Sequence, residues 1–185
     1  MIPDIISDAE QKMAKAIDYA KDEFAAIRTG RAHPAMFSKL TADYYGSPTP
    51  IQQLASFQVP EARMILITPY DKGAMPGILK SIRDSDLGVN PTDDGNIIRV
   101  TFPELTEDRR KEYIRLARTK AEEARVAIRN VRRSAKDDID KLVKDSEVGE
   151  DEANRAEKQL DGVTKKHTDQ VDELLKRKES ELLEV

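Results

Sequence analysis

From Glu104 to Val185 the chain holds no proline, whereas eight of its nine prolines fall between Pro34 and Pro103. Proline removes a helical hydrogen bond and clashes with the preceding turn, so this distribution divides the chain into helix-permitting ends and a helix-breaking middle. Six of eight glycines lie between Gly30 and Gly95, and six of nine aromatic residues lie in the middle. A chain built this way is an α+β molecule in which a turn-rich, aromatic segment interrupts long helices.

The ends have helical periodicity. Ile2, Ile6, Ala9, Met13, Ala16, Ala20, Phe24 and Ile27 recur in steps of three and four, which puts them on one face. Gly30 is the predicted terminator. A second helix is predicted from Thr106, an N-cap residue followed by Glu107 and Asp108 at the positive end of the helix dipole. Its stripe comprises Ile114, Ala117, Ala121, Ala124, Ile128, Val131, Ala135, Ile139 and Leu142. About 40 residues of helix extend roughly 60 Å. Gly149 is the predicted break. A third helix from about Glu150 carries Ala153, Ala156, Leu160, Val163, His167, Val171, Leu174 and Leu182. Three single stripes bury themselves only against each other, so the expectation is a three-helix bundle. Residues 1–30 and 105–185 form it, and residues 31–104 are an inserted α+β domain with hinges near 30–32 and 103–106. Within the insert, 39–45, 51–59, 64–68 and 97–102 are predicted strands, 74–86 a helix and 92–95 a turn.

Charge narrows the function. Charged residues make up 36% of the chain and apolar residues 38%, with a net charge of −4. Residues 105–133 nevertheless carry ten basic against five acidic groups. Arg118, Arg125, Arg129, Arg132 and Lys136 fall within a sector of about 60°, roughly 100° around from the apolar stripe, and are expected to face solvent. Arg115 and Arg133 border it. Arginine offers a planar fork that fits phosphate and stacks on bases. On periodicity alone two readings stand: an ordinary charged helix face paired to acids such as Glu122, or a surface for RNA or DNA. Arg28 and Arg31 form a second basic group around Thr29-Gly30, open equally to a helix-terminus reading.

Enzyme signatures are missing. No phosphate-binding loop, nucleophile elbow or HExxH motif occurs, there is no cysteine, and the two histidines, His33 and His167, are far apart in sequence. The expectation is a protein with no catalytic residue, no metal and no cofactor. No apolar run is long enough for a bilayer and the first residues have no basic or apolar leader character, so a cytoplasmic protein is expected.

Six segments carry a resemblance: Ile27-Arg28-Thr29-Gly30-Arg31-Ala32; Tyr44-Tyr45-Gly46 with Thr49-Pro50; Gln53-Leu54-Ala55; Ser85-Asp86-Leu87-Gly88-Val89-Asn90-Pro91; Leu105-Thr106-Glu107-Asp108-Arg109-Arg110-Lys111; and Ala127-Ile128-Arg129-Asn130-Val131-Arg132-Arg133. In this order over the whole chain, the sequence resembles the bacterial ribosome recycling factors. His33 and Asp108 depart from the family pattern, which has a small polar residue and a Glu there.

The resemblance implies a two-domain, L-shaped, tRNA-like monomer with no chemistry of its own. It implies binding to the 70S ribosome, mainly on large-subunit ribosomal RNA, after translation termination. With elongation factor G and GTP hydrolysis, the ribosome is then split into subunits, releasing mRNA and tRNA. Carried onto this sequence, Arg28, Arg31, Arg129, Arg132 and Arg133 are the expected RNA contacts. Gly30, Arg31, Glu104, Leu105 and Thr106 are the expected hinge. A general nucleic-acid coat, a coiled-coil chaperone and a hydrolase using surface carboxylates are the rival readings, and the net charge, the inserted domain and the motif search respectively weigh against them.

Overall fold

A computed structural model describes residues 1–184; Val185, the last residue of the predicted bundle segment, lies outside the described residues. Three long helices dominate: α1 (Ile2–Ala25), α4 (Glu107–Lys144) and α5 (Glu150–Leu183). Between the first two lie β1 (Thr41–Tyr44), β2 (Ser47–Pro50), the one-turn α2 (Ile51–Leu54), β3 (Ala55–Glu61), β4 (Met64–Pro69), α3 (Met75–Arg83), β5 (Asn90–Asp93) and β6 (Ile98–Thr101). The chain divides into two compact units.

The first unit, Met1–Phe24 with Arg115–Glu179, is helical throughout apart from the α4–α5 connection. Its core is a thin seam of Ile6, Ala9, Met13 and Ile17 from α1, Ala117, Ala121 and Ile128 from α4, and Ala156, Leu160 and Val171 from α5. Many of these are alanine, which lets helix backbones approach closely. On α1, Ile17 is buried and Ala16 only half-buried, so the stripe turns slightly from the expected one. Ion pairs tie the rims of the seam: Lys120 to Glu23 joins α4 to α1 (3.4 Å), and Lys166 to Glu10 joins α5 to α1 (3.9 Å).

The α4–α5 connection differs from expectation in an informative way. The break is made at Ser146, whose φ of 58° is left-handed, and not at Gly149. The Ser146 amide donates to Val143 (3.0 Å) and the Glu147 amide to Leu142 (2.9 Å). This is the Schellman pattern, with serine where glycine is usual. Gly149 serves the next helix: its carbonyl accepts from the Ala153 amide (3.1 Å). At the other end of α4, the Thr106 hydroxyl accepts from the Arg109 amide (3.2 Å), which makes Thr106 the expected cap.

The second unit comprises Ala25–Ile114 and the chain from Ser180 onward. A four-stranded antiparallel sheet in the order β3-β4-β6-β5 forms its frame, with a separate β1-β2 hairpin. Ile65 and Ile67 of β4, Ile98 and Val100 of β6, Ile78 and Ile82 of α3, and Phe37 and Phe102 fill its core. Phe37 packs against Phe57 and Phe102 at ring separations of 5.6 and 6.0 Å. Two strands go beyond the predicted set, β2 and β5. Both contain proline, and β5 is an edge strand, where a missing amide costs no ladder bond. The predicted strand 51–59 begins as a helical turn, and the predicted turn at 92–95 lies partly in β5, with the reversal at Asp94–Ile97.

α1 stops at Ala25, five residues before Gly30. Ile27, Arg28 and Thr29 are buried in irregular chain. The units therefore part at Phe24/Ala25 and Ile114/Arg115, because the residues after α1 and the first turns of α4 belong with the sheet. The Tyr113 hydroxyl, for example, donates to the Asp86 carbonyl (3.4 Å).

Candidate nucleic-acid interface

α4 carries the basic sector, and the structure sorts its members by how many nitrogens of each guanidinium are already engaged. Arg118 gives Nε to Glu179 (2.8 Å). Arg125 gives Nε and Nη2 to Asp172 Oδ1 (2.8 and 2.6 Å) and Nη1 to Glu122 (3.2 Å). Arg129 gives only Nη2, to Glu122 Oε1 (2.7 Å). Arg132 gives only Nε, to Asp161 Oδ1 (2.7 Å). Lys136 pairs with Asp140 (3.1 Å). Arg133 is exposed and has no ion-pair partner among the described residues.

Periodicity predicts that the whole sector faces solvent, and it does so only in part. Side-chain exposure is 23% for Arg125 and 32% for Arg132, against 50% for Arg129. The first two reach across to acids of α5, as does Arg118, which stays 64% exposed. Asp161, Asp172 and Glu179 carry this pairing, and α4 periodicity alone cannot reveal them. Reading the acids of both helices in antiparallel register would have done so.

The electrostatics follow. Arg129, and then Arg125, hold the Glu122 carboxyl below the usual range through hydrogen bonds. Burial alone would lower the Arg125 pKa, but Asp172 and Glu122 more than offset it and raise it. Arg125 is thus an internal tie, while Arg129 and Arg132 each keep two nitrogens without protein partners among the described residues.

Arg28 and Arg31 lie in the second unit and have opposite environments. Arg31 is 78% exposed, with Nε 3.7 Å from Glu184. Its amide is held by the Thr29 hydroxyl (3.2 Å). Arg28, expected as an RNA contact, is 6% exposed. Its Nη1 donates to the Leu87 carbonyl (2.6 Å), its Nη2 donates to the Pro103 carbonyl, and its guanidinium lies 5.4 Å from the Phe102 ring centre. Burial lowers its pKa. Two donors are used internally and the third, Nε, is buried without a partner. Arg28 is therefore a strut joining three chain segments.

Four of the expected hinge residues, Gly30, Arg31, Glu104 and Leu105, line one cavity of about 430 Å³ together with Arg63 and Arg110. Arg63 reaches Glu104 (3.4 Å). The fifth, Thr106, caps α4. The histidines have structural work: His33 Nδ1 accepts from the Ala35 amide (3.0 Å), and buried His167 bonds the Val163 carbonyl of its own helix (2.8 Å). Among the described residues, no group of three or more His, Asp or Glu side chains is placed to hold a metal ion, and no helix is long and apolar enough to cross a membrane.

Long packed helices, one of them bearing an arginine face, with a small antiparallel sheet inserted in sequence between them, define a helix-rich α+β protein. Residues 20–183 match the sequence model of the ribosome recycling factor family. The chain is 68% identical to the ribosome-recycling factor of Streptomyces coelicolor and 65% identical to that of Nocardioides sp., each covered over the full length of both chains. It is similar to a solution structure of the ribosome recycling factor, at 45% identity and a TM-score of 0.77, covering all of this chain and 98% of that one. It is also similar, at 38% identity and a TM-score of 0.70 over the full length of both, to the T. thermophilus ribosome recycling factor placed with E. coli elongation factor G on the E. coli post-termination complex. The chain belongs to the ribosome recycling factor family.

Proposed function

We propose that this chain binds the bacterial post-termination ribosome and, with GTP-bound elongation factor G, splits it into subunits. The observation that carries the reading is the uneven engagement of the arginines on α4. Arg129 and Arg132 are each held by a single nitrogen, so each guanidinium is oriented yet retains donors for phosphate. With Arg133 and the exposed Arg31 they form the contacts to large-subunit ribosomal RNA, where phosphate binding fixes register on the folded RNA. Arg28 serves the same contact indirectly by fixing the segment that presents Arg31. The chain supplies position and stiffness, and the GTPase supplies the energy. Gly30, Arg31, Glu104, Leu105 and Thr106 are the hinge of this reading, and the cavity beside them gives the backbone room to move. The working compartment is the cytoplasm.

The test is light scattering of purified post-termination 70S ribosomes with this protein, elongation factor G and GTP. A fall in scattering that requires all three supports the reading. Intact ribosome binding with no fall, using ribosomes and elongation factor G from Streptomyces coelicolor, would overturn the splitting role. Gly30→Pro should slow splitting while leaving ribosome binding within about twofold, since a stiffened segment affects movement more than docking.

A further inference from the structure

The β1–β2 hairpin turns on two residues, Tyr45 and Gly46, between the paired Tyr44 and Ser47. Both have left-handed backbone, with φ of 50° and 81°. A two-residue loop of this kind needs positive φ at both positions, which glycine and asparagine adopt readily and a bulky side chain does not. Tyrosine therefore stands at 45 against the preference of its backbone. Packing does not explain the choice, because Tyr45 is 81% exposed.

The surroundings hold the ring upright without burying it. The Tyr45 and Tyr44 hydroxyls both donate to Asp71 Oδ2 (3.2 and 2.7 Å), while Asp71 Oδ1 accepts from the Gly73 amide (2.9 Å). A Cβ at Gly73 would lie 3.2 Å from the Tyr45 hydroxyl, so glycine gives this tether its room. The Tyr44 ring meets the Tyr45 ring edge-on, with centres 4.5 Å apart. A ring tethered at its tip and propped by a neighbour has little freedom left to lose on contact. Tyr70, 73% exposed, brings a second ring next to Asp71 in the chain. Conformational strain kept at an exposed, preorganised aromatic is the pattern of a contact residue.

Charge chooses the partner. Residues 41–50 carry one charged group, Asp43, and residues 69–75 carry Asp71 and Lys72. The Gly73 amide, and then the Tyr44 hydroxyl, hold the Asp71 carboxyl below its usual range, so it is ionised at neutral pH. A phosphate would meet two acids here and no guanidinium. A cation would meet the electron-rich face of an aromatic ring with a carboxylate at its tip.

We propose that Tyr45, held upright by Asp71, is a docking anchor for an arginine or lysine side chain of a basic protein segment in the post-termination complex. This rests on the reading of the chain as a ribosome-binding factor. The first test is binding of full-length Tyr45→Asn and Tyr45→Phe to purified Streptomyces coelicolor post-termination 70S ribosomes with elongation factor G and a non-hydrolysable GTP analogue. Asparagine suits the left-handed backbone, so the near-UV melting midpoint of Tyr45→Asn should match or exceed the parent's, and a loss of binding is then not a loss of fold. Tyr45→Asn should bind about threefold to tenfold more weakly, the scale of one cation–π contact. Tyr45→Phe keeps the ring and should bind within about twofold of the parent. Equal losses in the two variants overturn the proposal, because the hydroxyl tether would then be the working part. No loss in either also overturns it.

The second test places the photo-crosslinker p-benzoyl-phenylalanine at position 45 and irradiates the same complex. Mass spectrometry should find the link on a protein peptide, beside an arginine or lysine. A link to ribosomal RNA alone, or no link, overturns the proposal whatever the binding data show. If the parent does not bind these ribosomes, the proposed function fails and the anchor falls with it. If the parent binds and position 45 links only to RNA, the anchor alone fails.

Discussion

Removing Arg28 should destabilise the fold itself, beyond any effect on docking. In Arg28→Ala, the carbonyls of Leu87 and Pro103 lose a charged donor and Phe102 loses the cation beside its ring. Hydrogen bonds from a charged group contribute about 1.5–3 kcal/mol each, and a desolvated cation–π contact contributes roughly 1–2 kcal/mol. Against these stand the cost of holding a buried cation, visible in its lowered pKa, and the unpartnered Nε that the alanine variant no longer contains. An orphaned buried donor costs roughly 1–3 kcal/mol. The balance is a loss of about 2–4 kcal/mol, localised in the second unit. At this scale the melting temperature of a unit of that size falls by about 8–30 °C. Six of the nine aromatic residues lie in 31–104, so near-UV circular dichroism reports this unit and far-UV ellipticity reports the helices. The near-UV transition should move well below the far-UV one. Arg28→Lys should recover less than half of the loss, since one ammonium cannot span two carbonyls as the fork does. If Arg28→Ala melts like the parent yet binds ribosomes poorly, the strut assignment is wrong and Arg28 is a surface contact.

Other consequences are simpler to check. Ser146→Gly should raise stability by about 0.5–1 kcal/mol in urea unfolding, because glycine adopts the left-handed φ of 58° without a Cβ penalty. Ile128→Ala should cost about 2–4 kcal/mol, since Ile128 is fully buried in the seam of the first unit and its removal leaves a cavity. The Glu122 carboxyl, measured by NMR, should titrate below the ordinary range of a glutamate, and Arg129→Ala should move it back up toward that range. Because its folded pKa is depressed, its contribution to stability is present above the unfolded pKa and is lost as pH falls through the folded one. Arg133→Ala should weaken ribosome binding, reduce its salt slope by roughly one, and leave the melting temperature unchanged.

The helices were legible because their signal is repeated. Ile6, Ala9, Met13, Ala117, Ala121, Ile128, Ala156, Leu160 and Val171 lie on the predicted stripes and are buried. The Thr106 cap was legible because a cap is local chemistry. What the sequence hid was non-local. β2 and β5 contain proline, which argues against strand until the sheet order shows which strand is an edge. α1 ends at Ala25, and Arg28 in the irregular chain after it meets carbonyls that lie 59 and 75 residues away in the chain. Ser146 lacks the glycine that usually marks its conformation, so Gly149 attracted the prediction instead. In the basic sector, periodicity placed five side chains on one arc but could not show that α5 would claim Arg125 and leave part of Arg132 open.

That difference bears on how, in the proposed reading, an acidic protein docks on RNA. A net charge of −4 gives no general attraction to a polyanion, so contact depends on where cations stand and what already holds them. Exposed ion pairs are each worth only about 0–1 kcal/mol. Exchanging one carboxylate for a phosphate therefore costs little where a single nitrogen is engaged, as in Arg129 and Arg132. It costs more where three are engaged, as in Arg125. In the proposed reading, the acids along α4 and α5 thereby grade a row of similar arginines into ties and contacts. Replacing Asp172 with Asn should shift Arg125 toward the second group: the helix pair loosens slightly, and the salt dependence of ribosome binding steepens by up to about one counterion as a neutralised cation is released. An unchanged slope in Asp172→Asn would show that Arg125 stays out of reach of the RNA even when released, and that its place on the helix, not its pairing, sets its role.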